Sequence, residues 1–247
     1  MEMDKYRQSV TELMEHYQLK TSDQKKVWNV IEPIWEHPEF QRRMNSEEFP
    51  HHETVSLGEH ILSDTIVTYV LSQKKGWDNK TTTTAMNIAL FHDLYELPWQ
   101  NTKIKKSRLV NKHGFTHPLE GAINAATWYP SYFQDDKESE IIIDGVVHHM
   151  FPFPVRSFDG TDLELNTKEK IEQIPHYIKG LIITSSTRVQ LGPISLCPSK
   201  FKQGRIMSKA DKVVSFGKDL TSINGLLACV TGHNKNLEDK SYSYQKK

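Results

Sequence analysis

Cysteine is scarce: Cys197 and Cys229 are the two in 247 residues, and they form no CxxC pattern. That argues against a disulfide scaffold, a thiolate zinc site or an iron–sulfur cluster, and it fits a reducing compartment. A charge excess is lacking too, with 31 Lys and Arg against 31 Asp and Glu. A global basic field for nucleic acid or an anionic membrane is therefore not indicated, although a local patch stays open. No apolar run approaches the roughly 18 residues of a membrane span. The start, Met1-Glu2-Met3-Asp4-Lys5, lacks the basic-then-apolar order of a signal peptide. The expectation is a cytoplasmic protein with no membrane partner. Internal repeats are absent, and the short run Thr81 to Thr84 is the one biased tract.

What is present is helical periodicity. Tyr6, Val10, Leu13, Met14 and Tyr17 recur at three and four, which predicts an amphipathic helix over 4–19. Trp28, Ile31, Ile34, Trp35 and Phe40 predict two helical pieces between Lys25 and Arg43, broken near Pro38. Ser56-Leu57-Gly58-Glu59 has the S-x-x-E form of a capping box, so a helix starts there with His60 in its first turn. Met86 to Phe91 are apolar nearly all round, which marks Thr83 to Tyr95 as a central helix ended by Pro98. Pro118 in a first helical position predicts a helix from Leu119 to Trp128, with His117 at its start. Further helices are expected over 138–149 and over Lys168 to Ile183, and Arg205 to Val230 reads as one long helix or a helix pair. With few alternating strand patterns, the fold class is an all-α bundle. One domain is expected over 1–230, with N-terminal helices in 1–45, a stretch at 155–205 that is an insert, a lid or a contact between copies, and a polar tail over 231–247.

The chemistry begins at Ala89-Leu90-Phe91-His92-Asp93-Leu94, where an imidazole and a carboxylate stand side by side at the end of an apolar run. Neutral imidazole binds one cation, whereas a carboxylate can bridge two. Twelve His and thirteen Asp in 247 residues give about 0.6 such dipeptides by chance, so the pair alone says little. Its weight comes from the order of ligand-type residues around it: His60, His92-Asp93, His117, His148-His149 and Asp211. His117 is preferred to His113, which neighbours a flexible glycine. The doublet sits where Phe151-Pro152-Phe153-Pro154 forces a turn, so that both rings could converge. Asp211 lies among small and apolar residues and needs a compensating charge, from a metal or from Lys209 or Lys212. His51 and His52 could line the site, with an outer or surface role favoured; His16 and His37 read as surface residues. Glu96 is an outer carboxylate or a helix-end charge, and the basic tract Asn101 to Lys112 is a loop whose cations could attract an anion.

This succession resembles the HD-domain superfamily of metal-dependent phosphohydrolases, over roughly residues 34 to 220. The resemblance implies an HD-like helical bundle with the site at helix ends. It implies that His60, His92, Asp93 and Asp211 hold one metal and that Asp93 bridges to a second held by His117, His148 and His149. Asp93 and His92 are the implied catalytic pair. The Lys-Ala-Asp-Lys-Val-Val-Ser stretch closely resembles the family's last motif, although the long gap from His149 to Asp211 departs from its compact members. Imidazole and carboxylate donors suit Mn, Fe, Co, Ni or Zn rather than a Ca²⁺ or Mg²⁺ cage. Two divalent cations against two carboxylates leave roughly +2, which attracts phosphate. The expected reaction is hydrolysis of a phosphate ester by metal-activated water, on a nucleotide or other small phosphorylated substrate, with Arg156, Lys209 and Lys212 as candidate phosphate contacts. Rival readings are a di-iron oxygenase on the same scaffold, a nuclease, for which the neutral charge speaks mildly against, and a non-catalytic binding module. A homo-oligomer is also compatible with the sequence.

Overall fold

The computed structural model describes residues 2–52, 55–98, 111–161 and 165–216. Among these the chain forms ten α-helices and five short strands, an all-α bundle with two small sheets. No described helix is long and apolar enough to cross a membrane.

Helix α1 spans Glu2–His16, α2 Thr21–Trp35 and α3 Pro38–Arg43. Pro38 takes the first position of α3, behind His37, whose ring accepts from Glu39 N–H. A two-stranded hairpin, β1 (Pro50–His52) and β2 (Val55–Ser56), leads into α4, Leu57–Lys74. The capping box forms as the sequence predicts: Glu59 N–H donates to Ser56 Oγ at 3.1 Å and Ser56 N–H to Glu59 Oε2 at 2.7 Å. Helix α5, Asn79–Phe91, starts on an Asp78 cap and is buried from Thr84 to Phe91. It packs on α4, and with α10, Lys202–Phe216, it forms the centre of the bundle. Helix α7, Asp136–Val147, lies against α5. At the crossing of α7 and α10 a Cβ on Gly204 would come within 2.7 Å of Gly145 Cα, so only glycine permits that approach. One contiguous core, with Trp35, Phe40, Phe91, Leu119 and Ile142 among its members, holds these layers. Each such buried side chain contributes about 1.5–3 kcal/mol.

Several boundaries differ from the sequence expectation, and the central helix expected over Thr83 to Tyr95 runs Asn79–Phe91, so that Asp93 lies beyond it. Helix α6 runs His113–Trp128, with Pro118 inside it, so His117 is an interior residue rather than a helix start. The proline removes only the bond to the carbonyl of Gly114, which is exposed to water. The single helix expected over 168–183 is two, α8 (Lys168–Ile171) and α9 (His176–Ser186), because Pro175 drives the residue before it out of helical conformation. Within 155–205 a three-stranded antiparallel sheet also forms, with β5 (Ile194–Ser195) between β3 (Val155–Arg156) and β4 (Gln190–Leu191). Its β3 lies on α6, and α9 lies on α7. The helix expected from Arg205 is described as far as Phe216; its continuation to Val230, the polar tail, Cys229 and the lysines and arginine at 103–108 lie outside the described residues.

Candidate metal centre

Six histidines and acids from five parts of the bundle meet around one carboxylate, Asp93. His92 caps the C-terminus of α5 and Asp93 begins the turn beyond it. That turn is gripped by buried side chains, because its main chain has left the helix and must find other partners. Asn124 Nδ2 donates to Leu94 O at 2.6 Å, Arg43 Nη2 donates to Tyr95 O, and Glu120 accepts from Glu96 N–H at 3.4 Å. Arg43 is fully buried, sandwiched over the rings of Phe49 and Trp128. Lys170 closes the outside of the turn with an ion pair to Glu96.

Asp93 divides the donors into two sides. On its Oδ2 side stand His60 Nε2 at 3.7 Å and His92 Nε2 at 3.6 Å. Asp64 joins them, its Oδ2 lying 3.1 Å from His60 Nε2 and 3.3 Å from His92 Nε2, and Asp211 Oδ1 is 3.7 Å from His60 Nε2. On the Oδ1 side are His117 Nε2 at 3.5 Å and His149 Nε2 at 3.6 Å. All seven residues are buried.

The protons on these rings are assigned by their far nitrogens. A carbonyl can only accept, so each Nδ1 facing one must carry the hydrogen. His92 Nδ1 donates to Ala89 O at 2.7 Å, His117 Nδ1 to His113 O at 2.9 Å and His149 Nδ1 to Val146 O at 2.7 Å. Each ring is thus a donor at Nδ1 and turns its Nε2 toward Asp93, which is how metal-ligating histidines are oriented. His117 Nε2 and His149 Nε2 face each other at 3.0 Å, a distance that a shared proton or a metal ion spans. Burial, with His92 and His117 alongside, pushes the His149 ring well below its usual pKa.

The acids divide in the same manner. Burial would raise Asp93, but His92, His117, His149 and His60 outweigh it and hold this carboxyl well below the usual range. Asp64 is driven well above it by burial and by Asp211 and Asp93, and Asp211 is raised by burial against the opposing pull of Lys212 and His92. Three carboxyls buried at one point are ionised together only with cationic compensation; without it Asp64 and Asp211 are pushed toward their neutral forms.

The donor set fits such compensation. Two atoms each about 2.1 Å from one ion stand about 3.0 Å apart at a right angle and about 3.4 Å apart at a tetrahedral angle. The contacts of His60, Asp64 and His92, and of His117 with His149, fall in or beside that span. His92 Nε2, both Asp64 oxygens and Asp93 Oδ1 are buried without a hydrogen bond from any described residue. The cluster could therefore hold metal on either side, with His60, Asp64, His92 and Asp211 as one donor group and His92, Asp93 and His149 as another.

The sequence reading missed Asp64. It lies four residues after His60, hence on the same helical face, and the available signal was an acid inside an apolar stripe. His148, expected to converge with His149, turns away. His148 N–H still bonds Asp144 O and His149 N–H bonds Val146 O, so the chain keeps turning through the doublet and successive side chains diverge. His148 Nε2 donates to Ser185 O at 3.0 Å and lies beside Asp144 and Cys197 Sγ. Lys212, expected at phosphate, instead binds the His149 carbonyl at 2.9 Å and Ser208. Lys209 is exposed on α10, and Arg156 is half-buried on β3 near Asp159. His51 stacks on His60 at 3.8 Å between ring centres, and His113 stacks on His117 at 4.7 Å.

Comparison with protein-family models, with curated proteins and with solved structures found no match to this chain. The cluster itself is therefore the basis for reasoning about function.

Proposed function

We propose that this chain is a metal-dependent phosphohydrolase of the HD type, acting on a phosphate ester of a nucleotide or another small phosphorylated molecule. The observation that carries the reading is the convergence of His117 Nε2 and His149 Nε2, 3.0 Å apart, on Asp93 Oδ1, opposite His60 and His92 on Oδ2. A metal ion on each side would satisfy the imidazoles and the shared carboxylate together. Divalent ions of Mn, Fe, Co, Ni or Zn would supply an acidified water and a sink for charge developing on phosphoryl oxygens.

The protein's part is to place and protect. Asp93, kept ionised by four imidazoles, offers one oxygen to each side and so fixes their spacing. The Nδ1 bonds to Ala89, His113 and Val146 lock ring orientation before anything binds, which lowers the reorganisation needed in the reaction. Two divalent cations against Asp64, Asp93 and Asp211 leave about one surplus positive charge, less than the two-carboxylate sequence reading allows but still favouring an anionic substrate. Arg156 and the exposed Lys209 remain the proposed phosphate contacts.

The test is metal analysis of freshly purified full-length protein, followed by phosphate-release assays on nucleotides and phosphomonoesters. Oxygen uptake after anaerobic iron loading and cleavage of single-stranded DNA are run in parallel. Phosphate release that needs metal and disappears in Asp93→Ala is expected. Release unchanged in that variant, or oxygen uptake in its place, overturns the proposal.

A further inference from the structure

Helix α10 carries two parallel i, i+4 pairs. Asp211 points at the Oδ2 side of the cluster and accepts from Ser215 Oγ at 3.2 Å. The adjacent pair, Ser208 and Lys212, does something else. The carbonyl of His149 lies just past the end of α7, where no helical N–H follows; Phe153 N–H bonds Met150 O instead. Such orphan carbonyls need outside donors, and lysine is a common one. Both Ser208 Oγ and Lys212 Nζ donate to that oxygen, and Lys212 Nζ also bonds Ser208 Oγ at 2.7 Å and Ser208 O at 3.0 Å.

Resting on the two-ion reading above, we infer that Lys212 is a positioning residue that braces the main chain of His149 and thereby assembles the second ion site, at His117, His149 and Asp93 Oδ1. The clip fixes the carbonyl end of His149, and the Nδ1 bond to Val146 O fixes its ring. Released from α10, the residue after the last turn of α7 is free to swing, and its Nε2 leaves the line to Asp93. The Oδ2 donors His60, Asp64 and Asp211 are supplied by α4 and α10 rather than through His149, which meets that side at the His92 ring, 4.9 Å away between ring centres. A cation that merely offset the nearby acids would act in the opposite sense, since removing positive charge tightens cation binding.

The measurement is Co²⁺ binding to full-length protein stripped by chelator, followed by visible absorption and bound-metal analysis. Wild type is expected to take up two equivalents. Lys212→Met is expected to keep the first at native affinity and to weaken the second about 10- to 100-fold, as loss of an outer-shell partner does at metal sites. Its metal-free form is expected to stay folded, with a melting temperature lowered by a few degrees for the lost carbonyl bonds. Lys212→Arg, which still reaches the carbonyl, should restore the second equivalent, and Lys209→Met should leave both intact. Should Lys212→Met fold poorly, Ser208→Ala reports the same clip. Two equivalents retained at native or higher affinity in Lys212→Met overturn the inference, as does loss of both. Wild type binding no ion overturns the metal reading itself.

Discussion

Gly121 on α6 lies beneath the carbonyl of His92: a Cβ there would stand 2.5 Å from His92 O and 3.1 Å from Phe91 O. Neither atom can yield, because both belong to the last turn of the buried α5. Gly121→Ala is expected to cost about 1–3 kcal/mol, as overpacking does. It should also displace His92. Urea unfolding and bound-metal analysis check both; an unchanged midpoint with full metal content would contradict the close approach.

Asp64 gives a prediction of opposite sign in the two states. Metal-free, it is a fully buried carboxyl without a hydrogen bond from any described residue, driven toward its neutral form by burial and by Asp211 and Asp93. Asp64→Asn should leave metal-free stability unchanged or raised. Ion at 100 times its Kd should stabilise wild type by about 2.7 kcal/mol, and the variant by less. Melting curves with and without Zn²⁺ or Mn²⁺ decide; equal metal-induced shifts would remove Asp64 from the donor set.

The histidine doublet divides by function. His148→Gln can still donate to Ser185 O and should retain full metal content, whereas His149→Gln should lose one equivalent. The check is bound-metal analysis of the two variants prepared side by side. Equal losses would mean that both rings face the centre.

The His148 ring should contribute acid sensitivity to the metal-free protein in a defined window. Burial, opposed by Asp144, holds the His148 ring at about 4 against 6.5 in the unfolded chain, with Arg188 adding to the lowering. Below 6.5 the unfolded chain binds a proton that the folded one refuses, so stability is full above 6.5 and lost as pH falls toward 4. His149, also lowered, acts in the same direction. Urea midpoints of chelated protein between pH 7.5 and 4 test this in steps of about half a unit. Asp64 and Asp211, both raised by burial, act in the opposite sense as pH falls, so the decisive comparison is between variants: His148→Gln with the full wild-type slope would contradict the burial argument for His148.

Much of the architecture was legible because helix signals are local. The capping box at Ser56, the apolar run of α5 and the break at Pro38 each depend on residues within one or two turns. Where local signals compete, they misled: Pro118 resembles a helix start, yet α6 begins at His113, since Gly114 tolerates the lost bond. His60, His92, Asp93, His117, His149 and Asp211 could be singled out because ligand-type residues follow one another in that order against apolar patterns, and the fold brings them together around Asp93. Asp64 was hidden by its surroundings, Ile61, Leu62 and Ile66, which read as plain core. His148 and Lys212 were misplaced for a different reason. Whether a ring or an ammonium faces the cluster or a neighbouring carbonyl is decided by backbone direction at the end of α7 and by the docking of α10, neither of which sequence spacing encodes.

The separation of His60 from Asp211 along the chain also bears on how this molecule is made. Closing a loop of that length is slow compared with forming any single helix. An emerging chain can present His60, His92 and His117 well before the last acid has been synthesised and docked. Tight uptake of metal would therefore report that the final helix has seated, making the ion a marker of completed assembly rather than its seed.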